Sequence, residues 1–319
     1  MNIGLKNTLR KSVIAAIALA CSTVHARPFD EKAVSADAKW VMHFDVDSMT
    51  KTKTWELVEP KLKNIAKYAQ GIAELERVLK VKLPGDLHDV TLYGPSFGES
   101  EAVVVVRATM DQQRALTLLS LNEKYEIETI DGQEIHSWHD ADKDRTMFGG
   151  LAGADRFVIG QSPDRVAAAL NVIASKAGAI NNPAIVQGST SAGMLMYVAG
   201  DELAKLAQKK MANNPLVGKL DDAWIAVSEN DTGLLLTSKI NAQTPEVAQN
   251  LVKAADGLKA MLAFAGADDP DAVLVSQLVQ TMTAKATAKT VDVTWPMPNT
   301  SIADLLDRVD ANADADATK

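Results

Sequence analysis

Apolar residues recur along this chain in two rhythms, short dense runs and longer stretches with steps of three and four. KWVMHFDV (39–46) is a dense run rich in β-branched and aromatic residues, and its length predicts a strand. From Ser48 onward the apolar positions fall at Trp55, Val58, Leu62, Ile65, Ala69 and Ile72, the signature of a helix with one buried stripe. Pro60 interrupts it, as a kink or as the start of a second helix. Another helical run, with Leu75, Val78 and Leu79, ends at Pro84-Gly85. Strands over 89–94 and 101–108 follow, joined by a Gly-rich turn, and then a helix over about 111–121. YEIETI and QEIHSWH flank Asp131-Gly132, a hairpin signal because both turn residues tolerate positive φ. Strand 156–160 leads into Ser162-Pro163, a capping serine with proline at the first helical position.

After a polar, turn-rich stretch from Asn181-Asn182-Pro183 to GSTSAG (188–193), the order of elements repeats. SADAKWVMHFDVD (35–47) aligns with STSAGMLMYVAGD (189–201), placing Ala38 on Ala192, Met42 on Met196 and Asp47 on Asp201. LHDVTLYG (87–94) corresponds to LDDAWIAV (220–227), and AVVVVRAT (102–109) to LLLTSKIN (234–241), with Arg107 on Lys239. Thr244-Pro245-Glu246 starts another helix. A helical hairpin around Asp268-Asp269-Pro270, strands near 283–288 and 290–295, and a last amphipathic helix with Ile302, Leu305, Leu306 and Val309 complete the chain. The expected fold is α+β: two related lobes, each an antiparallel sheet with helices on one face in the β-α-β-β-α-β order of a ferredoxin-like split unit, arising by internal duplication. The expected boundaries are a leader at 1–26, a first lobe at 27–180, a linker at 181–192, a second lobe at 193–309 and an acidic tail at 310–319.

The leader reading rests on Lys6, Arg10 and Lys11 before the apolar run Val13–Ala20, with Val24-His25-Ala26 supplying small residues for cleavage after Ala26. Lipoprotein processing at Cys21 is the rival, with Leu19 one position too late for a good lipobox. Cleavage after Ala26 removes the single cysteine, and loss of three basic residues takes the formal charge from −8 to −11. So acidic a chain is not expected to bind nucleic acid through overall charge, and no second long apolar stretch suggests a membrane span. The expected location is periplasmic or secreted.

The runs LPGDLHDVTLYG, EAVVVVRATMDQQRALTLL and DRFVIGQSPDRVAAAL together resemble a class of exported two-lobed bacterial proteins of unknown function. The resemblance rests on apolar, Gly and Pro patterns. It implies export and a duplicated α+β fold, and it carries over no catalytic residue.

Several stretches invite chemistry. Gly94-Pro95-Ser96-Phe97-Gly98 matches the G-x-S-x-G nucleophile elbow, but it leads into another strand rather than a helix, which favours a plain turn. Ser48-Met49-Thr50-Lys51 matches S-x-x-K, but its S-D-N and K-T-G partners are missing, so Ser48 reads as a helix cap. HSWHDADKD (136–144) offers His136, His139 and Asp140 as zinc ligands, but strand alternation would point the two imidazoles apart. As a calcium loop, Asp140, Asp142 and Asp144 fit, whereas Arg145 and Leu151 stand where an EF-hand needs Gly and Glu. A solvated hairpin loop is the simpler reading. Asp and Asn recur at 310, 312, 314 and 316, but the chain ends before a calcium loop is complete. His43 reads as a sheet-face residue, and His88 beside Asp89 as part of a turn. Lys51, Lys53, Lys61, Lys63 and Lys67 read as a solvated helix face, interrupted by Glu56 and Glu59.

No catalytic, cofactor-binding or metal-binding residue is therefore assigned. The expected function is that of an exported, non-enzymatic envelope protein binding a protein, peptide or surface polymer. The alternative is a carrier of a small apolar ligand, with the Ala, Leu, Val and Met residues of 245–282 as candidate pocket lining. A third option is a metal-dependent hydrolase using the 136–144 loop.

Overall fold

The computed structural model describes residues 29–183, 185, 188, 193–210, 216–264 and 270–307. The expected leader, the acidic tail and most of the linker lie outside them. The described chain is α+β and is organised on one antiparallel sheet of twelve strands.

The strands are β1 (Trp40–Asp45), β2 (Leu87–Gly94), β3 (Val103–Ala108), β4 (Glu126–Ile130), β5 (Gln133–Asp140), β6 (Arg145–Ala152) and β7 (Arg156–Gly160), then β8 (Met194–Ala199), β9 (Leu220–Asn230), β10 (Gly233–Ala242), β11 (Thr283–Thr287) and β12 (Thr290–Pro298). Their order across the sheet is β11-β12-β10-β9-β8-β1-β2-β3-β7-β6-β5-β4. One sheet thus runs through the expected boundary between halves, because β1 pairs with β8 from Trp40↔Val198 to Phe44↔Met194. The helices are α1 (Val46–Met49), α2 (Lys53–Asn64), α3 (Ala66–Leu79), α4 (Gln112–Leu119), α5 (Pro163–Ile173), α6 (Gly200–Lys210), α7 (Pro245–Phe264), α8 (Pro270–Gln280) and α9 (299–307). Among the described residues, no helix is long and apolar enough to cross a membrane.

Helices cover both faces of the sheet, not one as the sequence suggested. Leu195 and Ala226 belong to a core shared with Val166, Ala167 and Leu170 of α5. Their immediate neighbours Met194 and Val227 belong to another, shared with Val58 of α2 and Ile302 and Leu306 of α9. Consecutive strand residues point to opposite faces, so these cores lie on opposite sides. A buried sheet needs a cover on each side, and α2, from the first half of the chain, supplies part of it over strands of the second.

The local signals read from sequence hold at several points. Asp131 and Gly132 turn the β4–β5 hairpin with φ of 50° and 75°. Ser162 caps α5, its hydroxyl accepting from the Arg165 N–H at 3.3 Å, with Pro163 opening the helix. Thr244 accepts from the Val247 N–H at 3.3 Å at the start of α7. The helical hairpin expected near 268–270 is bracketed by α7 and α8, though its turn lies outside the described residues. The long helix expected from Ser48 is instead three pieces. Pro60 lies inside α2 without ending it, and the break comes at Ile65, which is extended with φ −78° and ψ 104°.

Candidate functional site: an apolar cavity beneath α2 and α3

Phe44 of β1 and Val90 of β2 are cross-strand partners that point to the same face. The chain leaves β1 at Asp45, whose carboxylate accepts from the Ser48 N–H at 3.0 Å and the Ser48 hydroxyl at 2.5 Å. The cap is therefore Asp45, and Ser48, expected to cap, is a buried donor to it. This tight turn sets Val46 and Met49 beside Phe44. Thr52 then caps α2, accepting from the Trp55 N–H at 3.0 Å.

A second carboxylate holds the same helix end. Glu229 of β9 accepts at Oε1 from the Thr54 N–H (2.8 Å) and hydroxyl (2.7 Å), and at Oε2 from the Lys53 N–H (3.1 Å). These are the orphan donors of a helix N-terminus, where a negative charge is also favoured by the helix dipole. Trp55 and Val58 turn inward as a result.

After the break at Ile65, α3 begins without a side-chain cap and ends at Lys80 in the left-handed region, φ 58°. Its residues Ala69, Ile72, Ala73 and Glu76 recur at helical spacing and face back towards the sheet. Between α3, α2, α1 and the strands lies a cavity of about 450 Å³, its floor made by Phe44, Leu87 and Val90 and its wall by Val46, Met49 and Trp55. Leu83 and Pro84 close one side. That volume lies within the range of small-molecule sites, which are mostly apolar with a few polar groups.

The polar groups here are Glu59, Lys63, Tyr68 and Glu76. Lys63 pairs with Glu59 at 2.9 Å along α2, and Glu76 accepts from the Leu83 N–H at 2.8 Å. Burial pushes the Tyr68 phenol above its ordinary pKa; Glu59 adds to that and Lys63 opposes it. Sequence reasoning placed an apolar pocket at 245–282 instead. There Ala248 and Val247 of α7 are buried against β10 and β12, while Leu258 and Met261 are exposed.

The other candidate residues stand apart. His136 is buried on β5, with Nδ1 2.7 Å from the Tyr125 hydroxyl and Nε2 3.3 Å from Glu134, whereas Nε2 of His139 lies 3.5 Å from Asp144. Burial lowers the pKa of His136, with Glu134 opposing. Asp140 pairs with Arg145 at 3.1 Å and closes the β5–β6 hairpin. The stretch 136–144 is thus a strand and its hairpin turn. Among the described residues, no group of three or more His, Cys, Asp or Glu is placed to hold a metal ion.

Gly94 ends β2 and Pro95–Gly98 opens the connection to antiparallel β3; the Ser96 hydroxyl accepts from the Gly98 N–H at 3.3 Å, and the Ser96 carbonyl accepts from Trp40 Nε1 at 2.8 Å. His88 lies within β2, not before it, and engages Asp47 rather than Asp89. Nδ1 is 3.1 Å from Asp47, and Nε2 is 2.7 Å from the Thr109 hydroxyl. A carboxylate only accepts, so Nδ1 carries the donated proton. The order Asp–His–Thr resembles a nucleophile-activating relay, but the Thr109 N–H is given to the Asp86 carbonyl at 2.8 Å and does not serve an oxyanion. The array braces α1 against the ends of β2 and β3.

A smaller cavity of about 200 Å³ lies against His43, Thr91, Arg107 and Arg156. Its charged groups are mutually paired, Arg107 with Asp89 and Arg156 with Asp30. His43 holds Thr91 at 2.9 Å through Nδ1, and its Nε2 has no hydrogen-bond partner among the described residues. Burial lowers the His43 pKa to about 4, with the charge of Asp30 opposing.

No protein-family model matches the chain, and no curated protein matches it. Three solved structures of a protein designated TP0453 are similar to it. Crystal form I is 11% identical with a TM-score of 0.46, covering 89% of this chain and 98% of that one. Form III is 13% identical with a TM-score of 0.47, and form IV 10% identical with 0.48; both cover 88% of this chain and 97% of that one. Likeness at that level places the chain in no family and carries no function to it.

Proposed function

We propose that this protein is a non-enzymatic binding protein for a small molecule with an apolar chain, held in the cavity beneath α2 and α3. The single observation that carries the reading is the cavity itself, about 450 Å³ walled by Phe44, Val46, Met49, Trp55, Leu87 and Val90. Water gains little from such walls, so an apolar occupant is favoured there by the hydrophobic effect. The leader-like pattern at 1–26 supports a periplasmic or released location, outside the cytoplasm.

Internal duplication belongs to the same proposal. Met42 and Met196, equivalent in the repeat, are cross-strand partners at the junction. Trp40↔Gly94 and Met194↔Val227 are equivalent pairs in the first two ladders. In the third, Asp89↔Arg107 matches Asp222↔Asn241, so the counterpart of Arg107 is Asn241, two residues beyond the expected Lys239. Both pairs are hydrogen-bonded, Arg107 to Asp89 at 2.6 Å and Asn241 to Asp222 at 2.7 Å.

A partner-binding reading draws on another place, the end strand β4, where Ile127 is 55% exposed, and the loop before it, where Leu121 is 75% exposed. Free strand edges are sites of chain addition, although Glu126 and Glu128 on this one oppose it.

Native mass spectrometry of protein purified gently from its own envelope tests the apolar-ligand proposal. The expected result is one bound molecule per chain, lost in Ala73→Trp, which fills the cavity from an exposed wall position. An adduct retained in Ala73→Trp would place the ligand elsewhere, and a bare chain that takes up no added alkyl compound would end the proposal.

A further inference from the structure

The polar residues at the cavity point to the kind of head group its occupant carries. Three charged side chains line it, Glu59, Lys63 and Glu76, and they sum to one negative charge. The one cation is already engaged, because Lys63 Nζ lies 2.9 Å from Glu59 Oε1. It is also the more exposed partner: the Lys63 side chain is 66% exposed against 31% for Glu59, so water screens the cation more than the anion. Glu76 spends one oxygen on the Leu83 N–H, a contact that neutralises no charge.

Tyr68 lines the same cavity. Its phenol is held above the ordinary pKa first by burial, then by Glu59, with Lys63 opposing less strongly. A group that resists becoming an anion at this spot does so for reasons that apply equally to a ligand. Every other lining residue is apolar, with Phe44, Leu87 and Val90 as the floor and Val46, Met49 and Trp55 among the walls.

We infer that the cavity takes a single-chain amphiphile whose head group bears no negative charge, an alcohol, ester, amide or amine rather than a carboxylate. This rests on the apolar-ligand reading above. An uncharged or cationic head is accommodated beside the Tyr68 hydroxyl and the two carboxylates. A fatty carboxylate would meet two like charges and compete with Glu59 for Lys63. One uncompensated like charge within a few ångströms, in partly desolvated surroundings, corresponds to about a tenfold loss of affinity.

The test is displacement of the neutral fluorophore N-phenyl-1-naphthylamine from the full chain at neutral pH by dodecanol, dodecylamine and dodecanoate, which share one chain length. Dodecanol and dodecylamine are expected to displace it at concentrations about tenfold lower than dodecanoate. In the double variant Glu59→Gln, Glu76→Gln the gap should close, chiefly through tighter dodecanoate binding. Dodecanoate displacing as well as dodecanol, or a gap unchanged in the double variant, would overturn the head-group inference and leave the apolar-ligand reading standing. Failure of the fluorophore and all three compounds to bind would instead overturn that reading.

Discussion

His43 shows what a single buried polar residue does to this protein. It sits in the β1 ladder opposite Thr91, its ring edge-on to Phe29 at 5.5 Å, and burial holds its pKa at about 4 against an ordinary 6.5. The native state thus keeps His43 neutral where the unfolded chain protonates it. The unfolded state binds more protons between pH 6.5 and 4, so the contribution of this group to stability is complete above pH 6.5 and lost as pH falls towards 4. The loss from this residue should reach about 3 kcal/mol. Denaturant unfolding at several pH values checks it, with the wild type losing more stability over that window than His43→Gln; equal slopes would contradict the assignment. His43 read correctly from sequence as a sheet-face residue, because it stands in an apolar strand. The partners of His88 did not, since Asp47 and Thr109 are distant in the chain and the adjacent Asp89 is drawn away by Arg107.

At the scale of elements, α2 is held by a contact from outside itself. Thr52 caps it locally, and Glu229, from the other half of the chain, takes two further N–H groups and the Thr54 hydroxyl. Glu229→Ala leaves the Lys53 and Thr54 N–H groups without their acceptor, while the Thr54 hydroxyl keeps Asn299 Oδ1 at 2.8 Å, and should cost about 2 to 3 kcal/mol. Hydrogen exchange should then rise across 53–64, whereas α3 keeps its own tie through Arg114 Nε donating to the Val78 carbonyl at 2.8 Å. Unchanged exchange over that segment would show that the packing of Val58 and Leu62 holds the arm alone. The strands, the Asp131-Gly132 turn and the Ser162-Pro163 cap were legible because each is written in neighbouring residues. The break at Ile65 was not, since the stripe of apolar positions runs through it unbroken. Nor was the cap by Glu229, which lies 175 residues from Thr54.

At the scale of the whole molecule, the β1–β8 ladder makes one sheet of two halves, and α2 crosses the junction to cover strands of the second. The cavity follows from that crossing. Once α2 is committed to the second half, α3 returns over β1 and β2, and the alanines Ala69 and Ala73 beside Ile72 and Glu76 leave space along that wall of the cavity. Its walls come from separated segments near 44, 55, 72 and 87, so no local pattern in the sequence announces it. The most direct test of the apolar-ligand account uses Trp55, which lines the cavity and is 8% exposed. Titration with bromododecanol, a heavy-atom quencher effective only at contact, should quench tryptophan emission saturably. Most of that quenching should vanish in Trp55→Phe. Quenching that does not saturate, or that survives unchanged in Trp55→Phe, would mean that the chain enters elsewhere and that this cavity is not the site.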